Sequence, residues 1–117
     1  MAPTTEDPIA PLWERVDGFE RLLEHRTRLG TCVLLARYEA LSFTRLRELL
    51  AETDGSLGAN LGKLEGAGFL TVEKSFENRR PITWYRLTPA GRQALEAHLA
   101  ALEQLVGAAT SASREGE

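Results

Sequence analysis

The stretch Gly55-Ser-Leu-Gly-Ala-Asn-Leu-Gly-Lys-Leu-Glu-Gly66 decides how this chain reads. Leu57, Leu61 and Leu64 recur at helical spacing, so the segment is a helix with one buried stripe. Ser56, Asn60 and Lys63 fall on the side read as exposed, and Gly55, Gly58, Ala59, Gly62 and Gly66 leave another face nearly bare. Each glycine inside a helix costs about 1 kcal/mol relative to alanine. A helix that gives up side chains along one face lets its backbone approach something closely.

Upstream, Glu52-Thr-Asp-Gly55 makes a tight turn, with Asp54 placed to cap a helix over 55–67. Before it, Ser42 suits the N-cap of a helix over 43–51 whose inner face is Phe43, Leu46, Leu49 and Leu50. Leu41-Ser-Phe43 reads as a short strand. The apolar run Leu29, Cys32, Val33, Leu34, Leu35 and Ala36 predicts a more buried helix over 26–39. A first helix is expected over 9–24, where Leu12, Val16, Phe19 and Leu23 repeat at four-three-four spacing beside Ile9 and Trp13, weakened by Gly18.

Downstream, Gly68 stands where a left-handed glycine ends a helix. The period then changes. Phe69 to Phe76 and Ile82 to Leu87 are rich in aromatic and β-branched residues, and Glu77-Asn-Arg-Arg-Pro81 joins them as the tip of a hairpin over 69–87. Alternation places one of Trp84 and Tyr85 in the core, read here as Trp84. Thr88-Pro89 opens a last helix over 89–106, with a seam of Leu95, Leu99, Leu102 and Val106. Residues 1–8 and 107–117 read as disordered termini, and there is no internal repeat.

The fold class is therefore mainly α with a small β-hairpin. The 117 residues suffice for one domain, and 43% hydrophobic with 26% charged composition describes a globular chain. No apolar run approaches the ~18 residues of a membrane span, and the polar, acidic start lacks the order of a secretory signal, so a cytoplasmic location without membrane contact is expected. One cysteine, Cys32, excludes an internal disulfide framework. The net charge of −3 is unevenly spread: residues 43–92 carry eight basic and six acidic groups, whereas both flanks are acidic. Local field rather than net charge steers a polyanion.

The order helix, helix, turn, helix, hairpin, helix is that of a winged helix-turn-helix. Short runs strengthen it: His25-Arg-Thr-Arg-Leu29, Phe43-Thr-Arg-Leu46, Asp54-Gly-Ser-Leu57, Leu61-Gly-Lys-Leu-Glu-Gly-Ala-Gly-Phe69, Lys74-Ser-Phe76, Arg80-Pro-Ile-Thr-Trp84 and Leu87-Thr-Pro-Ala-Gly91. As an ordered set over roughly residues 20–102 they resemble the small bacterial winged-helix transcriptional regulators related to the MarR and ArsR families. The resemblance implies a homodimeric repressor on double-stranded DNA, with helix 55–67 in the major groove and hairpin 69–87 as the wing.

Physical chemistry assigns the contacts. Asn60 suits an adenine edge, Ala59 a thymine methyl, Ser56 a base or phosphate, and Lys63 a phosphate. Thr44 and Arg45 at the start of the preceding helix suit the backbone, and Lys74, Arg79 and Arg80 on the wing suit phosphates or a narrow minor groove. The two flanking seams offer more apolar face than one small domain buries, so Leu12, Trp13, Val16, Phe19, Leu23, Leu95, Leu99, Leu102 and Val106 are expected at a two-fold interface.

Other functions are weighed on the same residues. The glycine-alanine face equally fits a winged helix used as a protein-interaction module without DNA binding. For an enzyme, the sequence shows no nucleophile–base pair, phosphate loop or metal cluster, and no cofactor is implied. Cys32 reads as a core thiol rather than a redox sensor, and His25 and His98 as structural rather than metal ligands. Arg28 fits either a contact to the DNA backbone or a structural role holding a carboxylate such as Glu24 one turn away, and the structural reading is favoured slightly. A small-molecule effector has a place near Trp13, Phe19 or Tyr38, but no ligand is named by the sequence.

Overall fold

Side-chain caps set the helix boundaries in the computed structural model, which describes residues 10–111. Nδ1 of His25 accepts from the Thr27 N–H (3.2 Å) and opens α1, Arg26–Arg37. Strand β1, Leu41–Ser42, runs directly into α2, Phe43–Leu50, where the Ser42 hydroxyl accepts from the Arg45 N–H (3.1 Å). Helix α3 spans Asp54–Gly66, and its cap is Thr53, whose hydroxyl accepts from the Ser56 N–H at 3.2 Å. Asp54, expected as the cap, is instead the first helical residue, where its carboxylate suits the positive helix end and pairs with Arg47 at 2.7 Å. Strands β2, Leu70–Glu77, and β3, Arg80–Leu87, follow, and Thr88 caps α4, Pro89–Thr110.

The strands form one antiparallel sheet in the order β1-β3-β2. The β2–β3 register runs from Leu70↔Leu87 to Glu77↔Arg80, and β1 adds to β3 through Leu41↔Tyr85 and Ser42↔Trp84. Asn78 and Arg79 both adopt positive φ, 50° and 65°, as a two-residue hairpin turn matched to strand twist demands. Tyr85, not Trp84, is the buried member of that pair (9% exposed). The register explains the correction: Tyr85 lies across from Val72 and Leu41, on the face that meets the helical core, and Trp84 points to the other side.

Leu57, Leu61 and Leu64 of α3 are at most 1% exposed and join Leu23, Leu35, Leu46, Leu70 and Leu95 in one core. Cys32 is completely buried there, and burial pushes its thiol up to about 11.

Within the described residues 10–24, the helix expected over 9–24 does not form. Two 3-10 turns, Leu12–Glu14 and Arg21–Glu24, are joined through Gly18 at φ +104°. A Cβ on Gly18 would lie 2.7 Å from the carbonyl oxygen of Ala97, so the glycine lets this N-terminal arm lie against α4 in a backbone conformation that side chains avoid. The arm's four-three-four spacing still pays off as packing: Val16 and Leu23 are buried, and Trp13, Phe19 and His98 stack edge-to-face with centroids 5.7 and 5.4 Å apart. Nδ1 of His98 accepts from the Glu20 N–H at 3.1 Å.

Helix α4 turns a stripe of Gly91, Leu95, His98 and Ala101 inward. The expected interface set is therefore split. Val16, Leu23 and Leu95 belong to the chain's own core, whereas Trp13 (66%), Val106 (62%), Leu99 and Leu12 remain exposed and Phe19 and Leu102 are half-buried. The helix also runs on to Thr110, so 107–110, expected in a disordered tail, are helical; two alanines there favour helix. The expectations for 1–8 and 112–117 lie outside the described residues. The described chain extends 64 × 27 × 22 Å with a radius of gyration of 18.0 Å, against about 13 Å for a compact domain of this size, so its shape is elongated.

Candidate nucleic-acid interface

The outer face of α3 is as bare as its sequence suggests. Gly55, Gly58, Ala59, Gly62, Lys63 and Gly66 are exposed. A Cβ built on Gly55, Gly58, Gly62 or Gly66 meets nothing within 4 Å, so no contact inside the chain requires these glycines. Their helix penalty goes uncompensated unless something outside the chain comes close to α3.

Polar groups border this face. Thr44 and Arg45 are exposed in the first turn of α2, and Lys74, Arg79 and Arg80 are exposed along the wing. Arg45 reaches Glu48 at 3.2 Å, a solvated pair of small energetic value, so its charge remains available. Between the start of α2 and the wing lies an open groove of about 580 Å³ lined by Ser42, Thr44, Glu77, Asn78, Arg80, Pro81 and Ile82. Phe76 stands 76% exposed on the wing across from Pro81, an apolar pair the sequence reading passed over.

Asn60 does not belong to the exposed set. It is 7% exposed, its Oδ1 accepts from Nη1 of Arg28 at 2.8 Å, and its Nδ2 donates to the Ser56 carbonyl oxygen at 2.9 Å. Each end of the amide is held by a bond inside the chain, and burial keeps what donor and acceptor capacity is left away from a base. The helical stripe of leucines is wide enough to draw the neighbouring position inward. Ser56 is half-buried at the start of α3. Of the contacts expected on α3, Ala59 and Lys63 remain exposed and Ser56 is partly accessible.

Arg28 bonds neither Glu24 nor any other carboxylate by ion pairing among the described residues. Its Nε donates to the Leu22 carbonyl oxygen at 2.6 Å and its Nη1 to Asn60. A signal was present in the sequence: an arginine in the first turn of a helix, where the dipole disfavours a cation. Glu52, placed by the sequence only in a turn, also joins distant segments. Its carboxylate accepts from the Thr27 hydroxyl at 2.7 Å and fixes the α2–α3 turn to the start of α1. That hydroxyl, followed by Ser56, holds the carboxyl below its ordinary range.

A family model described as a winged helix DNA-binding domain matches residues 27–106, which span α1 through most of α4. The chain belongs to this family. An uncharacterised protein of Methanocaldococcus jannaschii, MJ0432, is 36% identical over 78 residues, covering 67% of this chain and 85% of its own. The transcriptional regulator homologue of Pyrococcus horikoshii OT3 shares the fold with a TM-score of 0.73 at 23% identity, over 79% of this chain and 91% of that one. S. aureus MepR, solved as a DNA complex, shares it with a TM-score of 0.62 at 17% identity, over 76% of each chain. The fold is shared as well with a zinc-responsive MarR family member of Lactococcus lactis, ZitR, with a TM-score of 0.55 at 20% identity, over 72% of this chain and 57% of that one.

Proposed function

We propose that this winged-helix protein is a transcriptional regulator that binds double-stranded DNA as a homodimer and represses by occupying its site. Helix α3 enters the major groove and the β2–β3 hairpin follows the backbone into the minor groove. The observation that carries the reading is the bare outer face of α3, whose glycines have no partner inside the chain. Ser56, Ala59 and Lys63 contact the groove; Thr44, Arg45, Lys74, Arg79 and Arg80 contact phosphates. With few side chains on α3, base readout is thin, and sequence preference leans on duplex shape.

Dimerisation is supported by what the fold leaves uncovered. Trp13, Leu99 and Val106 expose apolar surface along the arm and α4, continuous with the half-buried Phe19 and Leu102. Arg15 Nε, also in the arm, is buried without a hydrogen-bond partner among the described residues. A two-fold pairing through α4 and the arm covers this surface and sets two α3 helices about 34 Å apart, one DNA turn. A small molecule seated in the same seam, beside Trp13 and Phe19, would act on both protomers.

The test is a gel-shift titration of the purified chain against the DNA upstream of its own gene, repeated over a salt series. Five candidate cations per protomer predict a log–log salt slope on the order of −5 to −9. A blank titration at low salt overturns the reading. A stoichiometric protein partner retained at high salt would favour the interaction-module alternative, in which the bare face of α3 receives another polypeptide.

A further inference from the structure

We propose that Arg28 is the positioning residue that ties the N-terminal arm to α3, so that the seating of α3 follows the seating of the arm. The inference rests on the reading of α3 as the DNA-contacting helix. One guanidinium joins two segments far apart in sequence: Nε donates to the Leu22 carbonyl oxygen at 2.6 Å, and Nη1 donates to Asn60 Oδ1 at 2.8 Å. Asn60 passes the connection into the α3 backbone through the Ser56 carbonyl, 2.9 Å away. Asn60 directly follows Ala59, so the bond holds the inner side of the turn that presents the bare outer face.

Two ordinary explanations for an arginine at this position fail. The dipole of α1 disfavours a cation in its first turn, and no carboxylate pairs with Arg28 among the described residues. What the position uses is the rigid fork, which donates in two directions at once; a lysine ammonium on a flexible stem does not reproduce it. The other end of the arm is bonded as well. The Glu20 N–H donates to His98 on α4, and Leu23, next to Leu22, is anchored in the core with no exposed surface. The path from α4 to α3 therefore runs through His98, the Glu20–Leu22 backbone, Arg28 and Asn60. A displacement of the arm at the subunit seam reaches α3 through these contacts.

The experiment uses the full-length chain with Arg28→Gln, Arg28→Lys and Asn60→Ala. Hydrogen exchange on the free protein is read over residues 57–61 and 21–24. In Arg28→Gln both segments exchange faster together, while amides of the β2–β3 ladder do not; loss of global stability alone would speed all three. In duplex titrations, Arg28→Gln and Asn60→Ala each weaken specific binding by roughly tenfold to a hundredfold, the loss of one charge-assisted hydrogen bond, while binding to random duplex changes little. The double variant is no weaker than either single one, and Arg28→Lys does not restore binding. In a Trp84→Phe background, duplex addition changes Trp13 fluorescence, and Arg28→Gln abolishes that response. Exchange that rises on one side only, additive effects of the two substitutions, or wild-type specificity in Arg28→Gln overturns the inference. If the parent chain binds no duplex, the DNA reading fails, and the paired exchange response still decides whether Arg28 couples arm and helix.

Discussion

Replacing Gly58 and Gly62 by alanine separates what α3 needs to fold from what it needs to meet DNA. Both positions are exposed, and a Cβ at either has no neighbour within 4 Å. Neither has a positive φ that would strain a side chain. The free protein therefore gains about 1 kcal/mol per substitution, roughly 2 kcal/mol together, which for a domain of about 100 residues raises Tm by about 9 °C. The gain is measured by thermal denaturation at fixed protein concentration. Duplex affinity moves the other way: two methyl groups now stand between the helix backbone and the groove, and binding falls by about tenfold or more, as for a lost base-pair match. If the double variant is more stable and binds duplex as well as the parent, the bare face does not touch DNA and the reasoning from it is wrong. If the variant is less stable, the glycines answer to a contact inside the assembly.

Three further outcomes follow from the structure. Trp13→Ala combined with Val106→Asp, at exposed apolar positions, shifts the protein to monomer in sedimentation equilibrium and abolishes specific but not random duplex binding. The Cys32 thiol, pushed up from an ordinary 9.0 to about 11 by burial, keeps its proton in the folded state where the unfolded chain loses it, so stability is full below about 9 and falls as pH rises toward about 11. Cys32→Ala flattens that alkaline loss, and a thiol reagent at pH 8 reacts with the parent chain only after denaturation. Glu52, held below its ordinary range by the Thr27 hydroxyl, stabilises above the unfolded carboxyl value, and this is lost as pH falls through the lower folded one; Glu52→Gln therefore flattens the acid limb of urea stability.

Much of this architecture was legible in the residues. The leucine stripe of α3, the Ser42 and Thr88 caps, the hairpin tip and the left-handed Gly68 are local features, governed by spacing and cap chemistry. The misreadings of 9–24, Trp84 and Asn60 depend on distant partners, whereas those of the α3 cap and of 107–110 are local. Spacing over 9–24 satisfied a helix, but the carbonyl of Ala97 makes Gly18 a bend. Alternation could not choose between Trp84 and Tyr85 without the register against β1. Asn60 looked exposed because a helical wheel cannot know that Arg28 waits on a neighbouring helix. The candidate surface followed the same division. The exposed wing and α2 cations needed no partner to be recognised, whereas Asn60, Arg28 and Glu52 are defined by contacts between segments.

Gly91 binds three parts of the molecule into a single stiff joint. A Cβ there would overlap the Phe69 carbonyl oxygen and the Leu87 side chain, and beside it the Thr88 hydroxyl donates to the Gly68 carbonyl at 2.6 Å while the Thr88 N–H donates to Phe69 O at 3.0 Å. The exit of α3, the root of the hairpin and the first turn of α4 therefore cannot swing independently. In the proposed homodimer, rotating the long helix about its partner would carry each hairpin tip through an arc, like the blade of a pair of shears. In the proposed dimer, the bite between the two tips, and hence the spacing of half-sites it would tolerate, would be set by the crossing angle of the α4 helices rather than by any looseness of the hairpins.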